Sequence, residues 1–191
     1  MGRYVTRATT EEDYKKIIKA ARNGYTHNGV KHRPNRQLAT ILVLEANLGC
    51  RIGDIINLTT DSIIKDGDFW KLNIVEEKTG KKRTFIVPEE IKAFIDDYTD
   101  YKGITSGKIF TVDKPSVWKN MRAISAYLGL TDTSTHSLRK YRANLLYEQT
   151  GHDIELVCEF LQHSDTKITR QYIKRSDAQL EKAISSSVTL A

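Results

Sequence analysis

Hydrophobic positions along this chain recur with a helical period on both sides of a short stretch that has a strand period. After an acidic turn, Thr10-Glu11-Glu12-Asp13, apolar side chains return at Tyr14, Ile17, Ile18 and Ala21, predicting a helix that ends near Asn23-Gly24. A polar, basic link follows (His27, Lys31, His32, Arg33, Arg36). Pro34 then opens a helix from Gln37 to Leu48 that stops at Gly49. It is apolar nearly all round, which marks it as the central core helix. Arg51 to Leu58 reads as a further short helix that turns Ile52, Ile55, Ile56 and Leu58 inward.

The period then changes. Ile63-Ile64, Phe69 to Val75 and Arg83 to Val87 are strand-like, separated by Asp66-Gly67-Asp68 and Lys78-Thr79-Gly80-Lys81, and predict a three-stranded antiparallel meander. Helical patterning resumes over Pro88–Tyr101, Lys114–Leu128, Leu138–Gln149, Ile154–Leu161 and Thr166–Tyr172, with Gly129 and Gly151 as C-caps. The fold class is therefore mainly α with a small three-stranded antiparallel β-sheet (α+β). Residues 1–175 form one domain and residues 176–191 a tail with one amphipathic stretch.

Composition narrows the partners. The chain has 191 residues, enough for one core without a disulfide or metal staple. Lys+Arg exceed Asp+Glu by 30 to 24, a net +6 that suits a polyanion partner. Cys50 and Cys158 lack metal-type spacing and read as reduced, buried, small hydrophobes. The charged N-terminus does not read as a signal peptide, and Leu38–Leu48, interrupted by Glu45 and Asn47, is too short for a membrane span. The expectation is a protein of the cytoplasm. A myristoylation-like start (Met1-Gly2) and a sequon (Asn57-Leu58-Thr59) are set aside as chance matches.

Five places combine charge with positions that packing does not demand. Arg51 opens a helix in Gly49-Cys50-Arg51-Ile52-Gly53-Asp54, with Asp54 three residues on and placed to orient its guanidinium. Lys78 sits in a charged hairpin, either as a solvated turn residue or as an ammonium that swings into a site. His136 and Arg139 share the start of a helix, where a phosphate would also meet free backbone N–H groups. His163 and Tyr172 follow, nine residues apart. Taken singly, each has a plain structural reading.

In order and spacing, however, these boxes resemble the catalytic domain of the tyrosine recombinase/phage integrase family. The resemblance runs from Thr10 to Ile173 and rests on Gly49–Asp54, Lys78-Thr79-Gly80-Lys81, His136-Ser137-Leu138-Arg139, Leu161-Gln162-His163-Ser164 and Tyr172. Three positions depart from it: Asp54 stands for the usual Glu, Lys140 for a common His and Gln162 for Gly. The resemblance implies that fold, and double-stranded DNA as partner. Its chemistry needs neither metal nor cofactor. Tyr172 would be the nucleophile, giving a 3′-phosphotyrosyl link. Arg51, Arg139 and His163 would hold the scissile phosphate, Lys78 would protonate the leaving 5′ oxygen, and His136 would assist. Lys81, Lys82, Arg83, Arg142, Arg170, Lys174 and Arg175 would contact the DNA backbone. On this resemblance the family's N-terminal core-binding domain is expected to be absent from this chain. The tail would dock on a neighbouring protomer in a tetramer on DNA, with the free protein a monomer, and the origin would be prokaryotic or phage. The rivals are a type IB topoisomerase-like relaxer or hairpin-telomere resolvase, and a non-catalytic DNA-binding regulator on the same fold. A serine acyl-enzyme on Ser62-Ile63-Ile64-Lys65 fails for want of a third motif.

Overall fold

A computed structural model describes residues 6–173. Helix α1 (Glu11–Asn23) is capped by Thr10, whose hydroxyl accepts from Asp13 N at 3.0 Å, and it buries Ile17, Ile18, Ala20 and Ala21. The predicted polar link is instead a small antiparallel ribbon, β1 (Tyr25–His27) and β2 (Val30–His32). Its turn residues Asn28 and Gly29 both take positive φ, 49° and 75°. An Asn-Gly pair is the sequence signal for such a hairpin, and basic side chains around it obscured that signal.

Helix α2 (Arg36–Leu48), capped by Asn35, is the centre of the molecule. It packs against α1 and α6 and also touches α3 and α4. Nine of its thirteen residues are buried, so its all-round apolar surface has neighbours on every side. It ends at Gly49 in the left-handed region, where a Cβ would stand 2.6 Å from the Phe160 ring. That close approach lets α7 lie across the helix end.

Helix α3 (Ile52–Ile56) is shorter than expected and leads into the predicted meander, β3 (Ile63–Asp66), β4 (Phe69–Val75) and β5 (Lys82–Val87). Leu72 pairs with Ile63 and Phe85, and Ile74 with Arg83. Helices α4 (Glu89–Lys102), α5 (Lys114–Tyr127), α6 (Thr135–Gln149), α7 (Ile154–Leu161) and α8 (Thr166–Arg170) complete the described residues. Helix α6 starts three residues before its predicted position, bringing His136 into its first turn. A small second cluster of Ala143, Val157, Leu161 and Ile173 holds α7 and α8 against α6, and Tyr172 packs on it. Cys50 is buried, as expected, but Cys158 is only half-buried, and its thiol donates to the His163 carbonyl at 3.4 Å. Among the described residues no helix is long and apolar enough to cross a membrane.

Because α2 is enclosed, truncating it opens a cavity with little room to collapse. Leu44→Ala is expected to lower unfolding free energy by about 2–5 kcal/mol, read from urea denaturation.

Candidate active site

Five of the six expected catalytic residues line one cleft of about 690 Å³, namely Arg51, Lys78, His136, His163 and Tyr172, and Asp54 and Lys81 line it too. They come from separate places in the chain. Arg51 is the N-cap of α3, Lys78 sits in the β4–β5 turn and His136 in the first turn of α6. His163 and Tyr172 follow α7 and α8. Lys78 is exposed, as a group that must reach a bound ligand requires.

The partner of Arg51 differs from the expected one. Its Nη1 donates to Glu76 Oε2 at 2.5 Å, not to Asp54. Asp54 accepts instead from two backbone amides, its own box's Arg51 N at 3.3 Å and Glu77 N at 2.9 Å. The shorter carboxylate therefore fastens the lysine hairpin to the start of α3. Glu76 is fully buried and also accepts from Arg83 Nη1 (3.2 Å) and the Thr79 hydroxyl (2.8 Å). Burial alone would raise its pKa, but the Thr79 hydrogen bond and the two guanidinium groups hold it below the usual carboxylate range.

Arg83 requires a second correction. It was expected on the DNA backbone, yet it is fully buried. Its Nη2 donates to the carbonyls of Leu48 (3.2 Å) and Phe160 (2.7 Å), tying the ends of α2 and α7 to the sheet. Arg142 is half-buried over the Phe160 ring. Lys81, Lys82 and Arg170 are exposed, whereas Lys174, Arg175 and the tail lie outside the described residues.

Tyr172 Oη lies 2.6 Å from His136 Nε2, and the Tyr172 ring meets both His136 and His163 edge-on. Both imidazoles are pushed down to about 4, mainly by burial and then by the Arg139 charge, so they are neutral at pH 7. Burial raises the Tyr172 phenol, with Arg139 and Arg51 opposing the shift. At neutral pH the phenol therefore keeps its proton, and the tautomer of His136 decides which partner donates: with its proton on Nδ1 the ring presents an Nε2 lone pair to the phenol. His163 sits with Nδ1 2.9 Å from the Thr169 hydroxyl and Nε2 3.4 Å from Arg139 Nη2.

Arg139 itself does not line the cleft. It is fully buried beneath the floor and donates to the Gly49 carbonyl (2.6 Å) and the Leu161 carbonyl (2.7 Å). Burial lowers it to about 10, so it remains charged at neutral pH. The sequence reading missed Glu45, Glu76, Thr169 and Lys114. Glu45 lines the cleft with its Oε2 unpartnered among the described residues, and burial pushes its carboxyl well above the usual range. Lys114, also at the cleft, pairs with Glu77 at 2.6 Å.

The sequence profile of the phage integrase family matches residues 7–179. The chain belongs to that family. It is 28% identical over 147 residues to the "Probable integrase/recombinase YoeC" of Bacillus subtilis (strain 168), covering 73% of this chain and 78% of the relative. It is 27% identical over 156 residues to the tyrosine recombinase XerC of Caldanaerobacter subterraneus subsp. tengcongensis, covering 75% of this chain but 43% of the relative. The fold matches a crystal structure of the XerH site-specific recombinase bound to difH substrate, with a TM-score of 0.69 and 19% identity, over 95% of this chain and 54% of that one. The chain thus spans about half the length of XerC and XerH.

Within this integrase fold the departures acquire physical content. Gln162 occupies a left-handed C-cap (φ 51°) where the family box has Gly, and its side-chain Nε2 donates to the Lys82 carbonyl at 3.2 Å. Lys140 donates to the Thr6 carbonyl and stands 5.5 Å from the Tyr172 ring centre.

Arg83→Ala is expected to destabilise by roughly 3 kcal/mol or more in urea melts, because it leaves Glu76 buried with fewer partners. A merely DNA-contacting arginine would instead leave stability unchanged. The histidines also set a pH dependence. Their folded pKa values, about 4 against an ordinary 6.5, mean that the unfolded chain binds more protons between those limits. Tm is therefore expected to fall as pH drops from about 6.5 toward 4, and the His136→Asn/His163→Asn double variant to flatten that slope.

Proposed function

We propose that this chain is a site-specific DNA recombinase that cleaves and rejoins strands through Tyr172. The observation that carries the proposal is the Tyr172 hydroxyl 2.6 Å from a neutral His136, inside a cleft that Arg51, Lys78 and His163 also line. A phenol is a weak nucleophile while protonated, and a neutral imidazole at hydrogen-bond distance can take that proton as attack begins. The Tyr172 oxygen then bonds to phosphorus and the bond to the 5′ oxygen breaks. Lys78 supplies that oxygen's proton, leaving a 3′-phosphotyrosyl link and a 5′-hydroxyl. Reversal by another strand's 5′-hydroxyl rejoins DNA without ATP.

Arg51 would grip a non-bridging oxygen through donors that Glu76 leaves free, and His163 would line the same phosphate. Arg139, buried below, would contribute its charge through the floor, where low polarity makes it count for more than in water. Lys81, Lys82 and Arg170, with Arg142 and the undescribed Lys174 and Arg175, would hold the DNA backbone, so affinity should drop steeply with salt. Tyr172 reaches the cleft of its own chain, which supports cleavage in cis. In this reading protomers assemble as a tetramer on double-stranded DNA and residues 176–191 dock on a neighbour. The host is a prokaryote or phage.

The test is a covalent trap. The protein is incubated with a library of nicked duplexes, from which the cleaved fragment diffuses away, and is then denatured in detergent. A DNA adduct that disappears in Tyr172→Phe is the expected result, and sequencing the trapped DNA gives the site. Salt-sensitive binding without any adduct would overturn the proposal in favour of a DNA-binding regulator.

A further inference from the structure

The β4–β5 turn is wrapped around one buried carboxylate. Glu76 N donates to the Lys81 carbonyl at 2.9 Å, and Gly80 N donates to the Glu76 carbonyl at 2.8 Å. Thr79, next to Lys78, spends its hydroxyl proton on Glu76 Oε2 at 2.8 Å, and the same hydroxyl oxygen accepts from Lys81 N at 3.3 Å. Oε2 is also the atom that holds Arg51 Nη1. Oε1 takes Arg83, which anchors the sheet to the ends of α2 and α7. One oxygen therefore touches both the arginine that faces the cleft and the turn that carries the lysine.

We infer that Glu76 is a positioning residue for two groups at once, the Arg51 guanidinium and the Lys78 turn, so that phosphate grip and proton donation share one geometric reference. The inference rests on the roles given above to Tyr172 and Lys78. Its physical basis is the directionality of short charge-assisted hydrogen bonds to a carboxylate that is itself fully buried. A carboxylate with three donors fixed around it has no alternative orientation, so neither limb drifts without the other. A shift of one ångström in a positioned group can reduce rate by about 10²-fold.

The two limbs are separable by leaving-group chemistry. A duplex with sulfur in place of the scissile 5′ oxygen expels a thiolate, which needs no proton, so it bypasses the lysine limb but not the arginine limb. Single-turnover cleavage is measured with the full chain on both duplexes, using the site recovered by trapping. Lys78→Ala should be slow on oxygen and restored on sulfur, and Arg51→Ala slow on both. Thr79→Val loses only the hydroxyl that joins the turn to Glu76. It should cost about tenfold on oxygen and nothing on sulfur, with Tm lowered by a few degrees for the hydrogen bond lost to a buried carboxylate. Glu76→Gln should lose about 10²-fold on oxygen and regain only part of it on sulfur.

Equal losses on both duplexes for Thr79→Val, or wild-type rates on oxygen for Glu76→Gln, would overturn the inference. Should Glu76→Gln fail to fold, the Thr79→Val pair of rates still decides whether the carboxylate positions the lysine turn. If Lys78→Ala is not restored by sulfur while Tyr172 still forms the adduct, the acid assignment fails and the inference falls with it. If no adduct forms, the recombinase reading has failed first.

Discussion

A carboxylate taken out of water must be surrounded by donors, and the site is organised around that requirement at Glu76. Fully buried, it is satisfied by Arg51, Arg83 and Thr79, which come from the start of α3, from β5 and from the turn before it. Arg83 is buried in turn and extends the same network to the carbonyls that end α2 and α7. The sheet, the central helix and the helix preceding His163 are thereby locked by polar contacts in a region where apolar packing alone would leave orientation loosely specified.

The second constraint is accumulated positive charge. Burial first, and then the charges of Arg139 and Arg51, keep both imidazoles neutral, with Lys140 and Lys78 adding at His136 and Arg83 at His163. Neutral His136 can accept the Tyr172 proton, which a protonated ring could not. The same field opposes the rise that burial imposes on the phenol. A bound phosphodiester would bring negative charge beside Arg51 and Arg139, and electrostatic stabilisation of a charged transition state draws on such pre-fixed cations.

Much of this was legible in the sequence. The apolar periods located the core helix, the meander and the later helices, because burial of one face demands that spacing whatever the partner. The boxes named Arg51, Lys78, His136, His163 and Tyr172, and the structure brings these five to one cleft. The strand alternation even held a clue to the missed residues. Glu76 continues the inward series Leu72 and Ile74, and Arg83 precedes the inward pair Phe85 and Val87. Charge hid the clue, since Glu and Arg on a hairpin ordinarily point to solvent.

The sequence by itself determined the types and order of the main helices and of the three-stranded meander, the candidate reacting groups and the sign of the net charge. These follow from local backbone preferences and side-chain chemistry. Only the tertiary structure decided which cations face the cleft and which are sealed beneath it. Lys82 is exposed while the adjacent Arg83 is buried, and Arg139 lies under the floor while His136, on the same helix turn, lines it. The physical reason is that burying a charge is tolerable only where partners converge on it. The partners of Arg83 and Arg139 include carbonyls 35 to 90 residues away along the chain.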